Sequence, residues 1–546
     1  MKRIVFLIIA SLLVLGLILP GCGGDATPKV VIAICGPMSN VQGIHMWNGA
    51  TMAEAEINAL NGGKGIDIGG TYYQIDVIKI NTNEISSPES AGPAMEAAIT
   101  TKDAQFVVGG FRTEAVLDMV KVARDTTTPF MIAGAATYYL LSGRYPLPYP
   151  HAGTPYYPYE AGSAGFEYIF RATPFNDAFL LNNTMMMNVM VASRIATIIG
   201  ANSTNKVKFA ILSESLTWAD VLTEKNRLLI GTVAPYLIGL PWELAGAGNN
   251  GTGVWRVSDN PTSIVMTNIL NDIKAGGAHI IVTILSGPVG VTFGKLKGAL
   301  GVPAMVVGIN VEGQSPDYWA NTQYGAGQYG ADGEIGLGTF APGVNQTALT
   351  ADFIARYKAH CGLFPIYTAS SYDAVWTLAK ALDDVNVIEE YGVAPDPKQL
   401  GVIAWLENPA NAQDIATGTS QYYPVWDGST NGTWSDNVWP ALTATQRDSL
   451  YGTLGFDAGC NFTMPPYTTH DLVYGPGYVT GLGVQWVETA GGTQIGVWPE
   501  NTTWTLQNVF SRLISGLNWT DLEYLGTADF EIPDALCTAW TGSSCP

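Results

Sequence analysis

Thr113 ends the stretch Gly109-Gly110-Phe111-Arg112-Thr113, directly after an apolar run and directly before a helical stripe. A threonine at a helix start sets a hydroxyl beside backbone N–H groups that have no partner within the helix. That combination suits a carboxylate, and it also serves as an ordinary N-cap. Ala135-Ala136-Thr137 follows a second apolar run, Phe130–Ala133, at the strand end where parallel sheets bind ligands. Trp218, in Ser215-Leu216-Thr217-Trp218-Ala219-Asp220, offers a broad apolar face and one N–H donor. Trp47 opens a helix and could pack on a ligand or on the core. Metal and catalytic chemistry have less support. The six cysteines form no CxxC, and His45, His151, His279, His360 and His470 are far apart, so no metal or other cofactor is expected. No Gly-X-Ser-X-Gly elbow or compact nucleophile–base set is present, so the expectation is binding without catalysis.

The elements that must position these residues alternate. Lys29–Gly36 is a continuous β-type run, followed by a helix with Met46, Gly49, Ala50, Ala53, Ile57 and Leu60 on one stripe and a stop at Asn61-Gly62-Gly63. Gln74–Ile80, Phe106–Gly109 and Phe130–Ala133 read as strands, with helices at Ser90–Thr101 and Glu114–Asp125. A second series has strands at Lys206–Leu212, Ala278–Leu285 and Ala304–Val307 and helices at Trp218–Ile230, Met266–Ala275 and Phe293–Ala299. Near-continuous apolar strands between helices predict parallel sheets covered on both faces, an α/β chain of two tandem lobes with a cleft between them. The Tyr- and Pro-rich stretch 138–165 is expected to be a long surface loop, a packed cover or an aromatic lid.

The chain has 546 residues, 47% hydrophobic and 13% charged, with a formal net charge of −20. That composition is globular, long enough for two cores, and unsuited to nucleic acid. Lys2-Arg3 precede an apolar run from Ile4 to Leu19, shorter than the roughly 20 residues of a membrane span. With Leu19-Pro20-Gly21-Cys22 it resembles the lipobox of exported lipoproteins, which implies lipidation of Cys22. The alternative is an uncleaved signal anchor, and either one places residues 23–546 outside the cytoplasm. Cys537 and Cys545 could close a short loop, and Cys361 and Cys460 could pair.

Several stretches together resemble the branched-chain amino-acid type of periplasmic binding protein, the solute receptors of ABC importers. They begin with Gly36-Pro37-Met38-Ser39, Gly49-Ala50, Glu56-Ile57-Asn58, Gly62-Gly63 and Val107-Val108-Gly109-Gly110. They continue through Pro129-Phe130-Met131-Ile132, Ala135-Ala136-Thr137, Phe170-Arg171-Ala172-Thr173-Pro174 and Tyr372-Asp373-Ala374-Val375. Gly455-Phe456-Asp457, Val484-Gln485-Trp486 and Val497-Trp498-Pro499 complete the series, with insertions near 138–165, 240–262 and 408–440. The resemblance implies a two-lobed type I periplasmic-binding-protein fold with three hinge crossings. Lobe 1 would be 29–172 and 313–482, and lobe 2 would be 173–312 and 483–500. A signal peptide (1–21) and a tether (22–28) would precede them, and an extension (501–546) would follow.

The implied function is capture of an amino acid or related small carboxylate or amide, and delivery to a permease driven by its ATPase. The implied place is the outer face of the cell membrane or the periplasm, held by the lipid anchor. The alternative is a ligand-binding sensory receptor of the same fold. By resemblance, Thr113 would hold the ligand carboxylate, Ala135 and Thr137 would contribute a backbone and a hydroxyl contact, and Trp218 and Trp47 would face the ligand. Receptors of this type hold the ligand ammonium with an acid after a lobe-2 strand, but Leu285 is followed by Ser286-Gly287-Pro288-Val289-Gly290. Either Glu214, Asp220, Glu312 or Glu334 reaches in, or the ligand carries no ammonium.

Overall fold

The computed structural model describes residues 27–137, 168–246, 251–344, 350–385, 402, 482–488, 491–498 and 530–545. Cys22, Cys460 and the 138–165 and 408–440 stretches lie outside the described residues.

Two sheets organise the chain. The first has the order β2-β3-β1-β4-β5-β6, from β1 (Lys29–Gly36), β2 (Ile66–Ile68), β3 (Thr71–Asn81), β4 (Phe106–Gly109), β5 (Phe130–Ile132) and β6 (Ile169–Arg171). All its pairs are parallel except β2 with β3. β1 is buried on both faces from Ile32 onward, as a run without polar alternation requires. Helices α1 (Val41–Asn58), α2 (Ala91–Lys102) and α3 (Thr113–Asp125) are its crossovers. Positions of α3 three to four apart make an apolar face of Ala115, Val116, Met119, Val120 and Ala123.

The second sheet runs β16-β15-β14-β11-β10-β7-β8, and β9 also pairs with β7. Its strands are β7 (Val207–Glu214), β8 (Trp242–Leu244), β9 (Val254–Val257), β10 (Ile280–Leu285), β11 (Met305–Asn310), β14 (Ile335–Gly338), β15 (Leu482–Val487) and β16 (Thr493–Trp498). A small hairpin, β12 (Gln323–Gly325) with β13 (Gln328–Tyr329), stands apart. The helices of this lobe are α4 (Asp177–Ile199), α5 (Thr217–Leu228), α6 (Ser263–Ala275) and α7 (Val289–Ala299). Helices α8 (Thr350–Cys361) and α9 (Ser371–Val385) return to the first lobe, where Phe353, Tyr357, Tyr372 and Leu378 join its core.

Three features differ from the sequence expectation. Strand β14 pairs with β11 and β15, so the chain stays in the second lobe past residue 313 and returns after Gly338. Its short Ile-Gly-Leu-Gly run gives no strand signal in isolation. The stretch 240–262, expected only as an insertion with no elements of its own, supplies β8 and β9 at the edge of the sheet, both parallel to β7. Helix α4, absent from the expected elements, is apolar nearly all round, and Met187, Val191 and Ile195 are buried in the second core.

Residues 530–545 pack on the second lobe. Phe530, Ile532 and Leu536 enter its core, Trp540 Nε1 donates to the Pro303 carbonyl (2.8 Å), and Cys537, within helix α10 (Asp534–Thr541), forms a disulfide with Cys545 just beyond it. Cys361 is half-buried, its thiol on the Tyr357 carbonyl. Among the described residues no helix is long and apolar enough to cross a membrane.

Candidate functional site

The carboxyl ends of β4, β5, β7, β10 and β11 open toward one cavity of about 40 Å³ between the lobes. The first lobe contributes Phe111, Arg112, Thr113, Gly134, Ala136 and Tyr367, and the second contributes Trp218, Ser286, Ile309, Val311, Gln314 and Leu337. Phe175 and Leu180, at the start of α4, complete an apolar wall. By the measure in which one water needs about 10–15 Å³, the cavity takes about three water-sized groups, so a larger ligand requires the lobes or side chains to move apart.

Thr113 lines the cavity as the first residue of α3, with Arg112 rather than Thr113 in the N-cap position. Its hydroxyl lies 2.5 Å from that of Thr137. Thr137 is held from behind, because Arg171 donates to its carbonyl at 2.7 Å and also to that of Ala136. Ala135 lies between two lining residues, but its N–H is taken by the Gly110 carbonyl (3.0 Å) and its carbonyl accepts the Thr173 hydroxyl (3.3 Å). Trp218 lines the cavity with its indole N–H on Glu214 Oε2 at 3.2 Å. Trp47 does not line it. It lies five residues beyond Gln42, about 140° round the helix, and packs on the first core with Lys79 Nζ 5.2 Å from its ring centre.

The four candidate acids separate. Glu334 lies deep in the second lobe, accepting from the Tyr318 hydroxyl and Asn310 Nδ2, both at 2.8 Å. Asp220 pairs with Arg256. Glu312 accepts from Gln42 Nε2 (3.2 Å) across the cleft. Glu214, the last residue of β7, lies directly behind the lining. It accepts the Ser286 hydroxyl (2.6 Å) and the Gly287 N–H (2.8 Å) besides Trp218. The sequence after Leu285 therefore supplies donors to an acid from the neighbouring strand. Burial pushes the Glu214 carboxyl above its ordinary range, opposed by the Ser286 and Gly287 hydrogen bonds and the Arg112 charge.

Sequence reasoning assigned no role to Arg112, Glu84 or Tyr367. Arg112 is 3% exposed and lines the cavity, and its Nη2 lies 2.9 Å from Asp259 Oδ2 of the opposite lobe. Glu84 accepts the N–H groups of Phe111 and Arg112 (3.0 and 2.8 Å) and the Thr82 hydroxyl (2.8 Å), so a protein carboxylate already occupies the backbone just before α3. Tyr367 donates to the Gly134 carbonyl at 3.4 Å. One signal was available, since Arg112 is a charge between Phe111 and Thr113 directly after a buried strand. Among the described residues no group of three or more His, Cys, Asp or Glu side chains could hold a metal.

No protein-family model and no curated protein sequence matches the chain. Solved structures do match in shape. The branched-chain amino acid transporter substrate-binding protein LivJ of Streptococcus pneumoniae, in complex with isoleucine, aligns at 15% identity with a TM-score of 0.54, covering 86% of this chain and 100% of that one. An extracellular ligand-binding receptor from Rhodopseudomonas palustris HaA2 aligns at 14% identity with a TM-score of 0.52, covering 86% and 99%. An ABC transporter substrate-binding protein from Sphaerobacter thermophilus gives 12%, 0.51, 86% and 97%. Two mainly parallel sheets flanked by helices, with β14–β15 and β15–β16 antiparallel at one edge of the second, and these neighbours establish that the chain has the two-lobed type I periplasmic-binding-protein fold of ABC-transporter solute receptors.

Proposed function

We propose that this protein is an extracytoplasmic solute-binding protein of an ABC importer, tethered through Cys22. It captures a small organic solute between its lobes and presents the closed form to a permease, whose ATPase supplies the energy. The observation that carries the reading is one cavity lined from both lobes at the carboxyl ends of both sheets. A ligand that touches both lobes only when they are closed shifts the population toward closure. Neither a catalytic set nor a metal enters this mechanism.

The test is calorimetric titration of the detergent-solubilised full-length protein, confirmed folded and ligand-free, with X-ray scattering alongside. The panel comprises leucine, isoleucine, valine, phenylalanine, their deaminated acids and amides, and urea. Saturable binding of one compound, with a fall in radius of gyration, supports the proposal. Binding of none of them argues against solute capture.

A further inference from the structure

The cavity lining contains, among the described residues, a single charged side chain, Arg112. Its guanidinium is buried, and neither Nε nor Nη2 has a hydrogen-bond partner among the described residues. Nη2 lies 2.9 Å from Asp259 Oδ2 as an ion pair, outside hydrogen-bond geometry, and Asp259 is a quarter exposed. A buried donor left without an acceptor is costly, and a planar guanidinium presents several donors in a fork that matches a carboxylate. The nearby anions are committed elsewhere. Glu214 takes Ser286 Oγ, Gly287 N and Trp218 Nε1, and Glu84 takes Thr82 Oγ1 and the N–H groups of Phe111 and Arg112. The rest of the lining is largely apolar, with Phe111, Phe175, Leu180, Ile309, Leu337 and Tyr367 prominent.

We propose that Arg112 anchors the carboxylate of the ligand, and that the ligand is a small monocarboxylic acid with an apolar body and no ammonium group. This rests on the solute-binding reading and specifies its substrate class. The carboxylate meets the guanidinium at Nε while Asp259 keeps Nη2. Thr113, one residue on, stands beside it with its hydroxyl on Thr137. The apolar wall takes the body of the acid, and no lining group is left to neutralise a buried ammonium.

The experiment compares ligands that share one body on the unmodified full-length protein. One set is 4-methylpentanoate, its amide and leucine, and a second is 3-phenylpropanoate, its amide and phenylalanine. Acetate and butanoate extend the acids downward. The expected result is that at least one acid binds and that its amide and its amino acid bind at least tenfold more weakly. Arg112→Ala, checked for an unchanged thermal transition, is expected to weaken the acid roughly ten- to a hundredfold more than the amide, the loss common to both coming from the broken Asp259 contact between the lobes. Arg112→Lys is expected to recover part of the loss. A purely structural role for Arg112 would instead weaken acid and amide alike. Equal binding of acid and amide, or tighter binding of the amino acid, overturns this proposal and leaves solute capture standing. Binding of no compound overturns both.

Discussion

Glu84 and Glu214 each bury a carboxylate and give its oxygens to three protein donors, which fixes the backbone of both walls of the cleft. Burial raises both above the ordinary carboxylate range, so the native protein holds these protons to higher pH than the unfolded chain does. Their contribution to stability is therefore greatest at acid pH and declines as pH rises through the raised values. His45 and His279 act in the opposite sense. Burial lowers each from 6.5 to about 4, with the Lys208 charge adding to the effect at His279 and Glu243 opposing it. The unfolded chain takes up these protons first, so stability is lost as pH falls from about 6.5 to about 4, by up to about 2 kcal/mol per histidine at about pH 5. His45 lies 2.8 Å from the Tyr357 hydroxyl through Nδ1, and His45→Asn keeps a polar atom near that place without titrating. The melting temperature of this variant is expected to fall less than that of the wild type between pH 7 and pH 5, and parallel profiles would refute the assignment. That Thr113 and Trp218 line the cleft was legible as a position, because the segments directly after β4 and β7 are readable from local pattern. Tyr367 and Glu84 were not, because long-range packing alone brings them to the cleft.

The turn from β4 into α3 carries the site, and its geometry depends on glycine. Gly109 has φ +136°, and an added Cβ would lie 1.9 Å from the Cys35 carbonyl oxygen of β1. Main chain inside a sheet cannot yield cheaply. Gly109→Ala is expected to cost roughly 3 kcal/mol or more and to displace Arg112 and Thr113 together. Gly62 is the control, since its φ is +74° but an added Cβ meets nothing within 4 Å. Gly62→Ala is expected to cost only about 1–2 kcal/mol. Equal denaturation midpoints for the two variants would show that the β4–α3 turn relaxes. The same local logic explains which elements the sequence revealed. β1, β4 and β10 are continuous apolar runs ended by glycine or a small polar residue, and α3 has a clear apolar stripe. Helix α4 has no polar face to give it a period, and β8, β9 and β14 are strands of three or four residues defined by their partners. The second crossing, expected near 312, was misplaced for that reason, because the strand after β11 carries too little signal to show which sheet it joins.

Across the whole molecule, closure rests on a few polar contacts between lobes. Gln42 Nε2 donates to the Ser286 carbonyl and to Glu312 Oε1, both at 3.2 Å, Arg112 pairs with Asp259, and the Thr217 N–H donates to Glu114 Oε1 at 2.7 Å. All of these link helix starts of the first lobe, α1 and α3, to strand ends or a helix start of the second, so hinge motion breaks them together. Burial raises the Glu312 carboxyl, the Gln42 bond opposes that, and the neighbouring Glu214 charge adds to it. Gln42 is the contact to test, because it lies outside the cavity lining and its loss leaves the ligand's own partners in place. Each neutral hydrogen bond is worth about 1 kcal/mol. Gln42→Ala should therefore shift the equilibrium toward the open form and weaken ligand binding about five- to thirtyfold through the population term alone. Scattering should show a larger radius of gyration in the unliganded variant and the wild-type value at saturating ligand. Weaker binding with no change in the unliganded radius would place the effect in the site instead, and it would remove Gln42 from the closing mechanism.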